Sequence, residues 1–126
     1  MDKPKILIVD DETDVVELVE RTLRDEGFDV VCAYDGIGAL DIVAAEKPDL
    51  VLLDIMMPMM SGYEVCEQIK ANPETQGLPV ICVSSSHAPD ARVKSIQAGA
   101  SALIVKPFLP KDLVAQIRHY LKKDER

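Results

Sequence analysis

Three aspartates close two short apolar runs: Lys5-Ile-Leu-Ile-Val9 runs into Asp10 and Asp11, and Leu50-Val-Leu-Leu53 runs into Asp54. If these runs are neighbouring parallel strands, the three carboxylates converge beyond one sheet edge, where open α/β sheets bind their ligands. Carboxylate oxygens with no sulfur or imidazole among them suit a hard cation such as Mg²⁺ better than zinc or copper. The chemistry on offer is therefore metal-assisted, at an oxygen-rich site.

An acidic doublet after a strand is ordinarily a solvated turn or a helix cap. Asp54 is different, because it ends a strand whose residues all read as buried, and an uncompensated carboxylate there is costly. Adjacent carboxylates raise one another's proton affinity, so the cluster calls for a cation or an ammonium group. Lys106 supplies the latter if its strand lies beside the third, since it terminates Leu103-Ile-Val105 as Asp54 terminates its own run. Without the aspartates it would read as an exposed strand-end lysine. Pro107 follows directly, and a cis bond could aim the ammonium inward. Ser84, Ser85 and Ser86 end the fourth apolar run. Serines there are usually turn formers, but one hydroxyl facing the carboxylates could donate to a phosphoryl oxygen.

The elements that must position these groups alternate five times between short β-branched runs and stretches of helical period, the pattern of a parallel sheet with helices on both faces. Strands are expected at Lys5 to Val9, Asp29 to Ala33, Leu50 to Leu53, Val80 to Val83 and Ala102 to Val105. The first helix carries Val15, Leu18, Val19, Thr22 and Leu23 and stops at Gly27. The second runs from Gly36 to Glu46 with Leu40, Val43 and Ala44 inward. Ser61 caps a third that carries Val65 and Ile69 and ends at Asn72-Pro73. A fourth spans Arg92 to Ala98 before Gly99. The last starts at Pro110 and buries Leu113, Val114, Ile117 and Leu121. Residues 122–126 read as a polar tail or the start of a linker.

At 126 residues the chain has the length of one domain, 1–126, and can bury one substantial core. With no Trp and only three Tyr and two Phe, that core must be aliphatic. Fourteen basic against twenty-two acidic residues give a net charge of −8, which repels nucleic-acid phosphates and anionic lipid surfaces. Cys32, Cys66 and Cys82 lack metal-ligand spacing and sit in apolar stretches, so they read as buried reduced thiols of a cytoplasmic protein. The charged start and the four-residue apolar run that follows make no signal peptide, and no run is long enough to span a bilayer.

In order and spacing, four segments resemble the receiver domain of two-component response regulators: Ile6-Leu-Ile-Val-Asp10-Asp11-Glu12, Leu52-Leu-Asp54-Ile-Met-Met-Pro58-Met-Met-Ser-Gly62, Pro79-Val-Ile-Cys-Val-Ser84, and Gly99-Ala-Ser-Ala-Leu103-Ile-Val-Lys106-Pro107-Phe108. The resemblance covers Lys5 to about Leu121. It implies a flavodoxin-like doubly wound five-stranded sheet of order 2-1-3-4-5. It further implies that Asp54 is the phosphoacceptor, attacking a phosphohistidine of a sensor histidine kinase or histidine phosphotransfer protein. Asp11, Asp54 and the Met56 carbonyl would ligate Mg²⁺ directly, with Asp10 acting through water, while Lys106 offsets charge and Ser84 binds the new phosphoryl group. Such a protein assists only its own phosphorylation and dephosphorylation and is not otherwise an enzyme. Its output passes to a downstream protein or a fused output domain.

Two departures from the family pattern bear on transmission. Leu103 stands where the family usually has Tyr or Phe coupled to the Ser84 hydroxyl, and Leu109 stands where a helix-capping residue is common. Leucine at 109 is a poor cap, worth about 1 kcal/mol less than serine. Met56, Met57, Met59 and Met60 crowd the loop after Asp54; some must pack inward, and Met59 or Met60 is expected to be an exposed, adaptable contact. Met56 and Ser86 occupy positions associated in the family with dephosphorylation rate, and His87 and His119 read as surface residues. Leu103 motivates an alternative, a constitutive interaction module with impaired switching. A Mg²⁺-dependent phosphohydrolase lacks its second aspartate two residues after Asp54, and a flavin site lacks its phosphate cradle.

Overall fold

The computed structural model describes residues 3–85 and 90–124. Its elements alternate along the chain: β1 (Lys5–Val9), α1 (Thr13–Asp25), β2 (Asp29–Ala33), α2 (Gly36–Glu46), β3 (Leu50–Asp54), α3 (Gly62–Ala71), β4 (Val80–Ser84), α4 (Ala91–Ala98), β5 (Ala102–Val105) and α5 (Pro110–Asp124). All neighbouring strands pair in parallel, in the order β2-β1-β3-β4-β5, as the resemblance implied. β3 and β4 each run one residue further than expected, taking in Asp54 and Ser84. α5 continues to Asp124, so the polar tail begins inside a helix.

The alternation of side chains along each strand divides the core in two. Ile6, Ile8, Leu50, Leu52 and Ile81 pack with Val16, Val19 and Leu23 of α1 and with Leu113, Val114 and Ile117 of α5. Leu7, Val9, Val51, Leu53, Val80 and Cys82 pack on the other face against α2, α3 and α4. Since the chain has almost no aromatic bulk, these interleaved aliphatic layers exclude water from both faces of β3 and β4, every residue of which is buried.

Helix ends follow local chemistry. Ser61 accepts from the Glu64 N–H while the Glu64 side chain accepts from the Ser61 N–H, a capping box that fixes the start of α3. α4 ends on Gly99 at φ +97°, a left-handed residue that a side chain would strain. The inward faces of two helices differ from expectation. In α1, Val16 is buried and Leu18 is exposed, because the stripe that packs on the sheet and beside α5 runs through Val16, Val19 and Leu23. In α2, Ala39 takes the inward position beside Val43, and Ala44 faces solvent.

Candidate functional site

Strand register assembles the site. Val9 pairs with Leu53, so Asp10 and Asp54 leave neighbouring strands side by side. Asp54 in turn lies level with Val83, and Ser84 with Val105. Side-chain parity then sorts the groups: Asp10 continues the Ile6, Ile8 row, Asp54 the Leu50, Leu52 row and Lys106 the Ala102, Ile104 row, all on the α1/α5 face. Ser84 continues the Val80, Cys82 row on the opposite face, the one that Leu103 also packs against.

Asp10 and Asp54 are each only 4% exposed. Lys106 Nζ lies 3.4 Å from Asp10 Oδ2, 3.5 Å from Glu12 Oε1 and 3.9 Å from Asp54 Oδ2. In the order 2-1-3-4-5 β4 stands between β3 and β5, so the long lysine side chain reaches Asp54 over the end of β4 rather than from an adjacent strand. The Lys106-Pro107 bond is cis. Asp10 Oδ1 also accepts the Glu12 N–H at 2.9 Å, and Asp54 Oδ1 the Met56 N–H at 3.1 Å, so each carboxylate is oriented by a backbone donor two residues on.

Burial pushes Asp54 up from 3.8 to about 6; the Met56 N–H opposes the rise, the Asp10 charge adds to it and Lys106 opposes it. Burial works against the charge on Lys106, yet Asp54, Asp10 and Glu12 outweigh it and hold the ammonium above its ordinary pKa. The result is a basic carboxylate, ionised at neutral pH, beside a firmly protonated amine.

Asp10, Glu12 and Asp54 place one carboxylate oxygen each within 4.8 Å of one another, the sole such group of potential ligands among the described residues. Three negative charges face one ammonium there, two of them out of water, and all the donors are oxygen, which fits a hard divalent cation. Asp11 is exposed and is not part of that group. Glu12, which carried no role in the sequence reading, joins Asp10 and Asp54 there; its position directly after the doublet was the available signal. A cavity of about 20 Å³, lined by Asp10, Asp54, Val15, Leu52 and Phe108 among others, adjoins the carboxylates. That is room for a water molecule and no more.

Ser84 is fully buried and its hydroxyl donates to the Ser85 carbonyl at 3.0 Å. Ser86 and His87 lie outside the described residues. Of the crowded methionines, Met57 is buried and Met60 half-buried, packed where a side chain at position 36 would stand, whereas Met56 and Met59 are exposed. Met59 is 99% exposed and holds φ +70°. Leu109 is exposed, and its carbonyl accepts the N–H groups of Asp112 and Leu113. His119 is exposed and edge-on to Tyr120. Cys32 corrects the expectation of burial, being only partly covered, while Cys66 and Cys82 are buried.

A family model described as the response regulator receiver domain matches residues 6–118. Among solved structures, the chain is similar to a CheY-like response regulator receiver domain protein from Methanospirillum hungatei JF-1, at 33% identity and TM-score 0.92, covering 98% of each chain. It is similar also to the signal receiver domain of a signal transduction histidine kinase from Syntrophus aciditrophicus, at 29% identity and TM-score 0.91, covering 98% of this chain and 93% of that one. NtrX from Brucella abortus matches at 32% identity and TM-score 0.90 over 98% of this chain, which spans 28% of the longer NtrX chain.

Proposed function

Because the chain belongs to the response regulator receiver domain family of two-component signalling, we propose that it is a phosphorylation-dependent switch in which Asp54 accepts a phosphoryl group and the modified domain binds a partner differently. The observation that carries this reading is Lys106 Nζ, 3.9 Å from Asp54 Oδ2 and 3.4 Å from Asp10 Oδ2 at the mouth of a buried acidic pair.

In the proposed reaction an Asp54 oxygen attacks phosphorus, the P–N bond to the donor histidine breaks, and its electron pair stays on the imidazole, which takes up a proton. Asp54 is suited to attack, because a pKa of about 6 leaves it ionised at neutral pH yet more basic than an exposed aspartate. Lys106 is the cation of this chain that would face the transferred phosphoryl oxygens, and in-line transfer depends mainly on such positioning and charge stabilisation. Asp10, Asp11, Asp54 and the Met56 carbonyl are the groups we assign to a Mg²⁺ ion, which when bound supplies positive charge against the repulsion between carboxylate and phosphoryl group. The Ser84 hydroxyl, now on the Ser85 carbonyl, would exchange that acceptor for a phosphoryl oxygen. The domain would act on no substrate beyond its own phosphodonor.

A sensor histidine kinase or phosphotransfer protein would be the donor, in the cytoplasm, and the output would pass to a separate protein or a fused domain. No helix among the described residues is long and apolar enough to cross a membrane. Incubation with acetyl phosphate and Mg²⁺, read by intact mass, tests the reading: one phosphoryl group is expected on wild type and none on Asp54→Asn. An unmodified wild type, or equal labelling of both, sinks it. Mg²⁺ alone is expected to raise the melting temperature, by the equivalent of about 1.4 kcal/mol at tenfold excess over its dissociation constant.

Leu103 favours a second reading, a module that binds its partner without switching. It is half-buried opposite Cys82 and offers neither ring nor hydroxyl to Ser84. Equal partner affinity with and without beryllofluoride would select it; a changed affinity selects the switch.

A further inference from the structure

Glu12 occupies the N-cap of α1 with extended backbone, φ −92° and ψ 106°, yet its side chain makes no capping hydrogen bond. Its backbone is fully engaged: the N–H donates to Asp10 Oδ1 at 2.9 Å and the carbonyl accepts the Val16 N–H at 3.1 Å. The carboxylate points instead to Lys106, with Oε1 3.5 Å from Nζ. Asp10 and Asp54 side chains are 5% exposed, whereas that of Glu12 is 65% exposed, so it is the outermost negative charge of the three. The ammonium stands nearer to Asp10 and Glu12 than to Asp54.

We propose that Glu12 is a positioning residue of this site: it draws Lys106 toward the β1 side, away from Asp54, and guards the approach, so that it favours the divalent cation and slows an anionic phosphodonor. The inference rests on the phosphoacceptor reading of Asp54 and adds a control over it. A solvent-facing carboxylate beside the entrance attracts a cation and repels a phosphoryl anion by the same field. Releasing Lys106 from Glu12 leaves its charge to Asp10 and Asp54 alone, where it offsets the repulsion met by an incoming phosphoryl group. The two effects therefore have opposite signs, and a variant that merely damages the fold cannot produce both.

Wild type, Glu12→Gln and, as a control, Glu17→Gln are compared. Glu17 is exposed on α1, so its substitution removes one unit of charge without touching Lys106. Two quantities are read: the Mg²⁺ concentration giving half the maximal rise in melting temperature with no donor present, and the rate of Asp54 labelling by phosphoramidate at saturating Mg²⁺. For Glu12→Gln the first is expected to rise about three- to tenfold and the second to rise about two- to fivefold, with Glu17→Gln matching wild type. Unchanged values in Glu12→Gln, slower labelling, or the same changes in Glu17→Gln overturn the inference and leave the Asp54 reading standing. A wild-type chain that takes no label overturns both.

Discussion

The ammonium nitrogen of Lys106 stands 3.9 Å from Oδ2 of Asp54, although β4 separates the strands on which the two residues sit. A lysine side chain is long enough to cross one strand at the sheet edge, and even side-chain parity from Ala102 through Ile104 delivers it to the same face as Asp54. The pair joins input chemistry to stability, since the charge that would steady a phosphoryl group also steadies the unmodified pocket.

Replacing Lys106 by Met leaves Asp10, Glu12 and Asp54 without their ammonium partner. A loss of about 1–3 kcal/mol is expected in urea denaturation without metal, and saturating Mg²⁺ should recover much of it. Labelling at Asp54 by acetyl phosphate should fall at least about tenfold. A variant as stable and as readily labelled as wild type would show that Lys106 serves neither purpose.

The raised pKa of Asp54 gives a defined pH dependence. Between about pH 4 and 6 the folded state holds a proton on Asp54 that the unfolded chain has released, so this group's contribution to stability declines as pH rises through that window. Asp54→Asn removes the decline. The variant should match wild type near the bottom of the window and melt at higher temperature above it, in metal-free buffer. A gap that stays constant with pH would contradict the assignment.

Gly62 sits against the end of β3, where a Cβ would meet the Asp54 carbonyl oxygen and lie 2.6 Å from Ile55 Cα. Backbone cannot yield as a flexible side chain does, so Gly62→Ala should displace either α3 or the strand that carries Asp54. We expect a cost of about 1–3 kcal/mol and slower labelling. Gly77→Ala, with nothing within 4 Å of its added Cβ, is the matched control and should change neither quantity.

The thiols provide a test of packing. Burial, then the Glu20 carboxylate, pushes Cys32 up to about 11, so it is almost wholly protonated near neutral pH despite its partial exposure. Cys66 and Cys82 are both 0% exposed; the neighbouring Cys82 thiol, then burial, pushes the Cys66 thiol above its ordinary value. In native buffer at about pH 8, Ellman's reagent should react slowly with Cys32 and with the other two only on unfolding. Rapid reaction of all three would mean that the α3/β4 layer opens readily.

The sequence by itself determined the alternating fold, because periods of 2 and 3.6 are local properties of the chain: all five strands and the α3 cap stand where Lys5, Ser61 and their neighbours put them. It also singled out Asp10, Asp54 and Lys106, since strand-end residues of parallel strands must share one edge. Tertiary structure decided what depends on two elements meeting. It chose Val16 over Leu18 for the inward face of α1, which periodicity alone leaves free to rotate until α5 packs beside it. It sorted the methionines by seating Met60 where Gly36 leaves room. It left Asp11 exposed and turned Glu12 from its helix cap to Lys106, a contact between residues far apart in sequence that no local pattern encodes.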